Sequence, residues 1–307
     1  MKKILVATEK PFSKVAVDQI RTVTEEAGCQ LALLEKYNSE AELLAAVAEA
    51  DGLIVRSDIV NANVLDAAKK LSIVVRAGAG YDNLDLSACT AHNVVAMNTP
   101  GQNSNAVAEL VFGMMVLGVR KHFNGSAGTE LRGKTLGIHA YGNVGYYVGQ
   151  IAKGFGMKVY AFDPFVSADR MKADGVEPLN SVEELYKTCQ FVSLHIPATD
   201  STKKSINKAL LSLMPKGGVL VNTARKEVID EEGLVALMEE RRDFMYLSDI
   251  MPGNAKVIEE KFPGRYFFTP KKMGAQTEEA NVNAGVAAAR QIVKFFNTGD
   301  ETFRVNK

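Results

Sequence analysis

Residues 133–164 read GKTLGIHAYGNVGYYVGQIAKGFGMKVYAFDP, and this stretch decides the fold. The apolar run Leu136–His139 predicts a buried strand, a helical pattern follows the turn at 140–145, and Lys158–Phe162 predicts a second strand. Strand, glycine turn, helix and strand together form a mononucleotide-binding unit. In such a unit the free N–H groups at the helix N-terminus favour a pyrophosphate.

The turn predicts a set of cofactor contacts: Tyr141, Gly142, Asn143, Val144 and Gly145. Gly142 would let the backbone approach a pyrophosphate, and Gly145 would let the helix pack close to the strand. The motif is imperfect, because Ala140 stands where GxGxxG has its first glycine. Asp163, about 20 residues later, would accept hydrogen bonds from the adenosine ribose and repel a 2′-phosphate. The predicted cofactor is therefore NAD, and not NADP.

Composition excludes several classes of protein. A chain of 307 residues is long enough for two domains. Its 36 basic and 36 acidic residues balance and are dispersed, so we expect no nucleic-acid partner. No apolar run reaches the roughly 18 residues that span a membrane, so we expect no membrane partner. Three cysteines without a CxxC pair and four scattered histidines predict a reducing, cytoplasmic location and no metal site.

The first 100 residues alternate between strand-like and helix-like segments, which predicts a first doubly wound parallel sheet. Its strands are expected at Lys3–Ala7, Gln30–Leu34, Gly52–Arg56, Ile73–Ala77 and Val94–Met97. Ligands of such sheets bind beyond the carboxyl ends of the strands. The candidate substrate contacts therefore follow strand ends: Lys10, Arg56, Ser57, Arg76, Ala77 and Gly78. The alternative is that the glycines only turn the chain and the arginines are solvated.

The later part of the chain repeats this pattern. An apolar helix is predicted from Asn105 to about Leu117, and a long closing helix from Gln276 to Phe296. A strand at Gly218–Asn222 precedes Thr223-Ala224-Arg225, and Asp230 is expected to cap the next helix.

Several motifs in a fixed order resemble the D-isomer-specific 2-hydroxyacid dehydrogenase family, and within it the branch that oxidises D-3-phosphoglycerate. They are 53–57 (LIVRS), 76–85 (RAGAGYDNLD), 98–109 (NTPGQNSNAVAE), 128–163, 194–199 and 217–230 (GGVLVNTARKEVID). The resemblance implies an α/β fold with a flavodoxin-like substrate domain (1–100 plus 284–307), a Rossmann NAD domain (101–283) and a cleft between them. It also implies a homodimer formed through the NAD domain.

The resemblance assigns roles to further residues. Arg225 matches the substrate-binding arginine, whose planar guanidinium suits an α-carboxylate and a developing oxyanion. The implied NAD contacts are His195, Pro197, Thr223, Ala224 and Asp249.

Two departures affect the acid/base chemistry. The family has a histidine after Thr-Pro and a partner glutamate. This chain has Lys271 and Lys272 after Thr269-Pro270, and Asn254 at the glutamate position. Counting from either side of the loop selects a different lysine, so both stay candidates. We expect burial beside Arg225 to lower the pKa of the acting lysine from about 10.4. The alternative is that both lysines are solvated and catalysis is lost.

The resemblance implies oxidation of D-3-phosphoglycerate to 3-phosphohydroxypyruvate, the first step toward serine. The charge at the predicted strand ends favours a phosphorylated substrate. A small unphosphorylated acid would need fewer positive charges than those of Arg56, Arg76 and Lys10. Because the chain stops soon after its closing helix, we expect no C-terminal regulatory domain. The alternatives are a dehydrogenase for another D-2-hydroxy acid, such as hydroxypyruvate, and a non-catalytic NAD sensor on the same scaffold.

Overall fold

The computed structural model describes residues 1–306, which form two compact units. One unit comprises Met1–Asn103 together with the segment that begins at Gln276, and the other comprises Ser104–Ala275. The functional domain boundaries expected from the sequence, at 100/101 and 283/284, stay predictions.

The first unit contains a five-stranded parallel sheet in the order β2-β1-β3-β4-β5. Its elements are β1 (Lys3–Thr8), α1 (Lys14–Glu26), β2 (Gln30–Glu35), α2 (Glu40–Val47), β3 (Gly52–Val55), α3 (Ala62–Ala67), β4 (Ile73–Arg76), α4 (Leu86–Ala91) and β5 (Val95–Asn98). The last helix of the chain, α12 (Glu278–Thr298), packs on α1 in this unit. The C-terminal tail continues to the edge strand, where Asn306 Oδ1 accepts a hydrogen bond from Ala96 N at 2.8 Å.

The second unit contains a seven-stranded parallel sheet in the order β12-β11-β10-β9-β6-β7-β8. Its elements are α5 (Ser104–Val119), β6 (Thr135–His139), α6 (Asn143–Gly154), β7 (Lys158–Phe162), α7 (Ala168–Ala173), β8 (Glu177–Pro178), α8 (Val182–Thr188), β9 (Phe191–Leu194), α9 (Lys208–Leu211), β10 (Val219–Asn222), α10 (Glu231–Glu240), β11 (Met245–Ser248), α11 (Ala255–Lys261) and β12 (Tyr266–Phe268). The strand order reverses beside β6, and the predicted dinucleotide turn follows that strand.

Each sheet is covered on both faces, as expected for parallel strands. In β1, Ile4 and Val6 pack with α12 and α1 on one face, while Leu5 and Ala7 pack with α2 and α3 on the other. Such strands read as continuous apolar runs in the sequence. The predicted class, two parallel-sheet α/β domains, is confirmed.

Nine of the 16 residues of the apolar helix α5 are buried, and the helix packs on α6 and β11 within its own unit. Across residues 1–306, no helix has both the length and the apolar character needed to cross a bilayer. Asp230 lies at the N-cap position of α10 as predicted. Its side chain nevertheless makes no capping hydrogen bond within the described chain, which corrects the expected role.

Candidate active site

The turn after β6 has the geometry of a dinucleotide cradle. Gly142 is the N-cap of α6, and no side chain of residues 1–306 caps that helix end, so its first N–H groups remain available to an anion. A Cβ at Gly142 would enter open space, whereas a Cβ at Gly145 would lie 2.5 Å from the Ala140 carbonyl oxygen. Gly145 therefore permits the close contact between helix and strand. These features fit a bound pyrophosphate.

The neighbouring turn residues contribute mainly through their backbone. Ala140 has φ of 79°, a left-handed conformation that glycine adopts without steric cost. Because alanine stands at the position of the first glycine of the motif, the backbone is strained there. Tyr141 is buried, while Asn143 is exposed and Val144 is half-buried. The ring of Tyr141 belongs to the core, and its hydroxyl lies 3.3 Å from an oxygen of Asp174.

Asp163 lies where a ribose-binding carboxylate is expected, immediately after β7. Its Oδ2 accepts a hydrogen bond from Tyr141 N and its Oδ1 accepts one from Phe165 N, both at 2.8 Å. These two bonds fix the carboxylate next to the glycine turn. Each carboxylate oxygen retains capacity to accept a further hydrogen bond from a hydroxyl.

His195 follows β9 at the same edge of the sheet. Its Nε2 lies 2.9 Å from Ser193 Oγ, and its Nδ1 lies 3.4 Å from Thr223 Oγ1. Burial lowers the pKa of His195 to about 3, and the nearby His139 lowers it further. The ring is therefore neutral at physiological pH. Pro197, which follows, is exposed, and its carbonyl oxygen accepts a hydrogen bond from Thr202 Oγ1 at 2.6 Å.

Arg225 extends from the end of β10. Asn222 holds the turn, because its Oδ1 accepts from Ala224 N at 2.9 Å and its Nδ2 donates to Arg225 O at 3.1 Å. The half-buried guanidinium donates one hydrogen bond within residues 1–306, from Nη1 to the Ala224 carbonyl at 2.9 Å. Its remaining donors can serve a carboxylate.

Asp249 organises the loop that carries the two lysines. Its buried Oδ1 accepts from Thr269 Oγ1 at 3.0 Å and from Met273 N at 2.7 Å, while its Oδ2 accepts from Gly274 N at 2.8 Å. One carboxylate thus holds both ends of residues 269–274. The sequence pointed to a nicotinamide contact at Asp249 and gave no sign of this structural role.

Lys271 and Lys272 lie within the segment that Asp249 holds, and both side chains are exposed. The burial that we expected for the acting lysine is therefore not observed. At the position of the family glutamate, Asn254 Nδ2 donates to Glu231 O at 2.8 Å. The Glu231 carboxylate accepts from Gly253 N and Asn254 N, so a carboxylate supports this loop from another helix.

In the first unit, Arg56 has a structural role that the sequence did not indicate. Its Nη1 donates to the carbonyls of Lys10 at 2.8 Å and Pro11 at 3.1 Å, and its Nη2 donates to Asn281 Oδ1 at 2.5 Å. The guanidinium also lies over the Phe12 ring, with Cζ 5.1 Å from the centroid. Arg56 thus joins the end of β3 to the first turns of α12.

The other predicted substrate contacts lie at the same sheet edge. Arg76 Nε donates to Arg56 O at 2.9 Å, and its guanidinium covers Gly78, where an added Cβ would meet Arg76 Nη1 at 1.4 Å. Gly78 has φ of 151°, and Ala77 is buried. Ser57 and the Lys10 side chain are exposed.

Sequence reasoning missed Asp58, which fixes the turn after β3. This buried carboxylate accepts from Glu9 N and Tyr37 Oη, both at 2.8 Å, and from Arg56 N at 3.2 Å. The sequence feature that could have indicated this role is an aspartate two residues after Arg56, at the end of a predicted strand.

Residues 105–264 match the family described as D-isomer specific 2-hydroxyacid dehydrogenase, NAD binding domain. This match covers more than half of the chain and lies within the second unit. The chain belongs to this NAD-dependent dehydrogenase family. The prediction that NAD is the cofactor is confirmed by this match.

Two relatives of this chain match it over nearly its full length. An NAD+-bound 3-phosphoglycerate dehydrogenase of Entamoeba histolytica is 48% identical, with a TM-score of 0.87, and the match covers 100% of this chain and 99% of that structure. Hydroxypyruvate reductase of Thermotoga maritima is 30% identical over 96% of this chain and 99% of its own length.

Other relatives are longer than this chain. D-3-phosphoglycerate dehydrogenase of Methanocaldococcus jannaschii is 34% identical over 83% of this chain but only 52% of its own length. The chain spans about half the length of several such curated relatives.

Proposed function

We propose that the chain catalyses the NAD-dependent oxidation of D-3-phosphoglycerate to 3-phosphohydroxypyruvate, the reaction that begins serine synthesis. The observation that carries the proposal is the likeness, over its whole length, to a 3-phosphoglycerate dehydrogenase at 48% identity. The cofactor cradle and the donors of Arg225 support the same reaction class. When bound, NAD would accept the hydride that leaves C2 of the hydroxy acid.

Arg225 orients the substrate and stabilises its reacting oxygen. A guanidinium can form two parallel hydrogen bonds to the α-carboxylate, and its charge stabilises the oxygen while electron density builds on it. Asn222 and Ala224 hold the backbone of Arg225 in place.

A lysine replaces the histidine as the acid/base in this proposal. During oxidation, neutral Nζ of Lys271 or Lys272 takes the hydroxyl proton while the hydride leaves C2. In the reverse direction the ammonium returns that proton. Support comes from Asp249, which fixes both ends of the segment that carries the two lysines. A general base acts in its unprotonated form, so we expect oxidation to accelerate toward alkaline pH.

The phosphate of the substrate requires cationic partners in the first unit. Lys10 is exposed and Arg76 lies at the end of β4, so both suit a dianion in this proposal. Arg56 is the weaker of the predicted contacts, because its donors already hold Lys10, Pro11 and Asn281.

A second candidate substrate is hydroxypyruvate, acted on in the reductive direction. The relative from Thermotoga maritima favours it, because the match covers nearly the full length of both chains. The two candidates differ in their requirement for a phosphate. Comparing kcat/KM for D-3-phosphoglycerate and D-glycerate, which lacks the phosphate, separates them.

The test is NADH formation from D-3-phosphoglycerate as a function of pH, in the parent protein and in the variants K271A and K272A. We expect one of these variants to lose about 100-fold or more in kcat, within the usual range for general acid–base catalysis. The matched controls K271R and K272R keep the positive charge, but a guanidinium cannot take up a proton. At the acting position the arginine variant should be as slow as the alanine variant.

Other outcomes would contradict parts of this proposal. Turnover that survives in both alanine variants refutes the lysine mechanism but leaves the reaction. Rapid turnover of D-glycerate without preference for the phosphate moves the substrate to the second candidate. NAD binding without turnover at any pH supports the sensor alternative.

We also propose that the chain forms a homodimer through its NAD domain and acts in the cytoplasm. Support for the dimer comes from aromatic residues exposed on the second unit, namely Phe123, Tyr147 and Phe155. Aromatic side chains of this kind are enriched at interfaces. Light scattering should show a dimer for the parent and a larger fraction of monomer for F123D. A monomeric parent would refute the dimer.

A further inference from the structure

Three polar side chains form a connected series at the carboxyl edge of the sheet in the second unit. Ser193 lies in β9, His195 directly follows β9, and Thr223 directly follows the neighbouring strand β10. Ser193 Oγ is 2.9 Å from His195 Nε2, and Thr223 Oγ1 is 3.4 Å from His195 Nδ1. Within residues 1–306, neither hydroxyl has another hydrogen-bond partner. The imidazole ring therefore connects the two hydroxyl groups.

The charge state of the ring restricts how these three groups can bond. Burial lowers the pKa of His195 to about 3, so the imidazole is neutral at physiological pH. A neutral imidazole has one N–H donor and one acceptor nitrogen. One hydroxyl must consequently donate to the ring while the other accepts from it. Which of them donates depends on the tautomer of His195.

The burial of Ser193 decides the tautomer. Its side chain has no exposed surface, and the ring nitrogen is its one partner in the described part of the chain. If Ser193 accepted from Nε2, its own O–H would be buried without an acceptor, which is unfavourable. Ser193 therefore donates to Nε2, so the ring proton is on Nδ1 and is donated to Thr223 Oγ1.

This arrangement leaves the hydroxyl hydrogen of Thr223 directed away from the ring, with no acceptor among the described residues. Thr223 keeps 7% of its surface exposed, at the sheet edge where ligands of such folds bind. In the strand order β10-β9-β6-β7, Thr223 and Asp163 lie on opposite sides of the glycine turn. With the adenosine ribose at Asp163, the nicotinamide half of a dinucleotide lies toward β9 and β10.

We propose that Ser193, by fixing the tautomer of His195, makes Thr223 a hydrogen-bond donor to an acceptor oxygen in the nicotinamide half of NAD. Thr223 touches the cofactor, whereas Ser193 is a positioning residue that acts through His195. The inference rests on the use of NAD by this family and not on the identity of the hydroxy acid. It is also independent of the lysine that transfers the proton.

The first test reads the tautomer directly, by NMR of the histidine ring nitrogens in the ¹⁵N-labelled whole chain at pH 7. The signals of His195 are those missing from H195Q. Should H195Q not fold, H92Q, H122Q and H139Q assign them by elimination. We expect the proton on Nδ1 in the parent and a mixture of both tautomers in S193A. A proton on Nε2 in the parent, or an unchanged tautomer in S193A, overturns the proposal.

The second test is calorimetric titration with NAD. T223V removes the hydroxyl at nearly constant volume and should bind NAD about fivefold more weakly, the usual effect of one neutral hydrogen bond. T223S keeps the donor and should bind nearly as tightly as the parent. The matched control T24V removes a buried hydroxyl of the first unit, which donates to Arg21 O, and should leave NAD affinity unchanged. ADP, which lacks the nicotinamide half, should bind T223V and the parent equally.

A double variant tests whether Ser193 acts through Thr223. S193A alone should weaken NAD binding, and S193A/T223V should bind NAD no more weakly than T223V alone. A further loss in the double variant would show that Ser193 acts by another route. The proposal is also overturned if T223V binds NAD as the parent does, if T223S is as weak as T223V, or if T223V loses as much affinity for ADP as for NAD. The unfolding temperature of each variant shows whether it remains folded.

Discussion

The two glycines of the turn after β6 should respond to alanine in opposite ways. A Cβ at Gly145 would lie 2.5 Å from the Ala140 carbonyl oxygen and 3.0 Å from Ile138 Cγ2. Because the first contact is with backbone, no side-chain rotation can relieve it, and α6 must move away from β6. Overpacking of this kind costs about 1–3 kcal/mol. We therefore expect G145A to lower the free energy of unfolding by that amount.

Gly142 differs because a Cβ there meets no atom within 4 Å in the described chain, and its φ of −82° suits any residue. Alanine is less favourable than glycine at an N-cap, so G142A should lower the free energy of unfolding by less than about 1 kcal/mol. The added methyl group would, however, occupy the space in which a pyrophosphate approaches the helix N-terminus. We expect NAD affinity to fall about tenfold or more, which corresponds to about 1.4 kcal/mol.

The assay combines urea unfolding with calorimetric titration of NAD for the parent and both variants. G142A separates cofactor binding from folding, and G145A tests the packing directly. If G142A binds NAD as tightly as the parent, the turn is not the pyrophosphate site. If G145A unfolds at the same urea concentration as the parent, the close contact between helix and strand does not constrain this position.

Three further changes test individual interactions. D249N replaces one of the two carboxylate oxygens, which accept from Met273 N and Gly274 N, by an NH₂ group that cannot accept a hydrogen bond. Urea unfolding should therefore show a loss of about 1–3 kcal/mol in the free energy of unfolding. An unchanged midpoint would show that Asp249 does not stabilise this loop. A140G relieves about 1–2 kcal/mol of left-handed strain and costs about 0.5–1 in chain entropy. It should therefore stabilise the protein by up to about 1.5 kcal/mol, and destabilisation would argue against strain. The pKa of His195 is about 3 when folded and about 6.5 when unfolded, so the unfolded state binds the extra proton and stability falls as pH decreases from 6.5 to 3. H195Q should lose less stability than the parent over this range, and the difference should be at most about 1.4 kcal/mol per pH unit. If stability falls with pH in parallel in both proteins, His195 is not the group that titrates.

The sequence was sufficient to predict two parallel-sheet α/β domains, although it indicated neither the order of the strands nor β8. Parallel strands covered on both faces read as uninterrupted apolar runs, so β3, β4 and β6 were all evident without coordinates. The glycine turn and Asp163 were also evident, because their chemistry depends on local backbone conformation and on a fixed spacing along the chain.

Only the tertiary structure decided how distant side chains use their hydrogen bonds. Arg56 has the sequence context of a ligand contact, but Asn281, 225 residues away, takes one of its donors. Asp249 similarly holds Met273 and Gly274 from 24 and 25 residues away. A sequence pattern records the type of a side chain and its distance along the chain. The partner of a buried charge depends on which elements pack together, so residues that share a motif can differ in role.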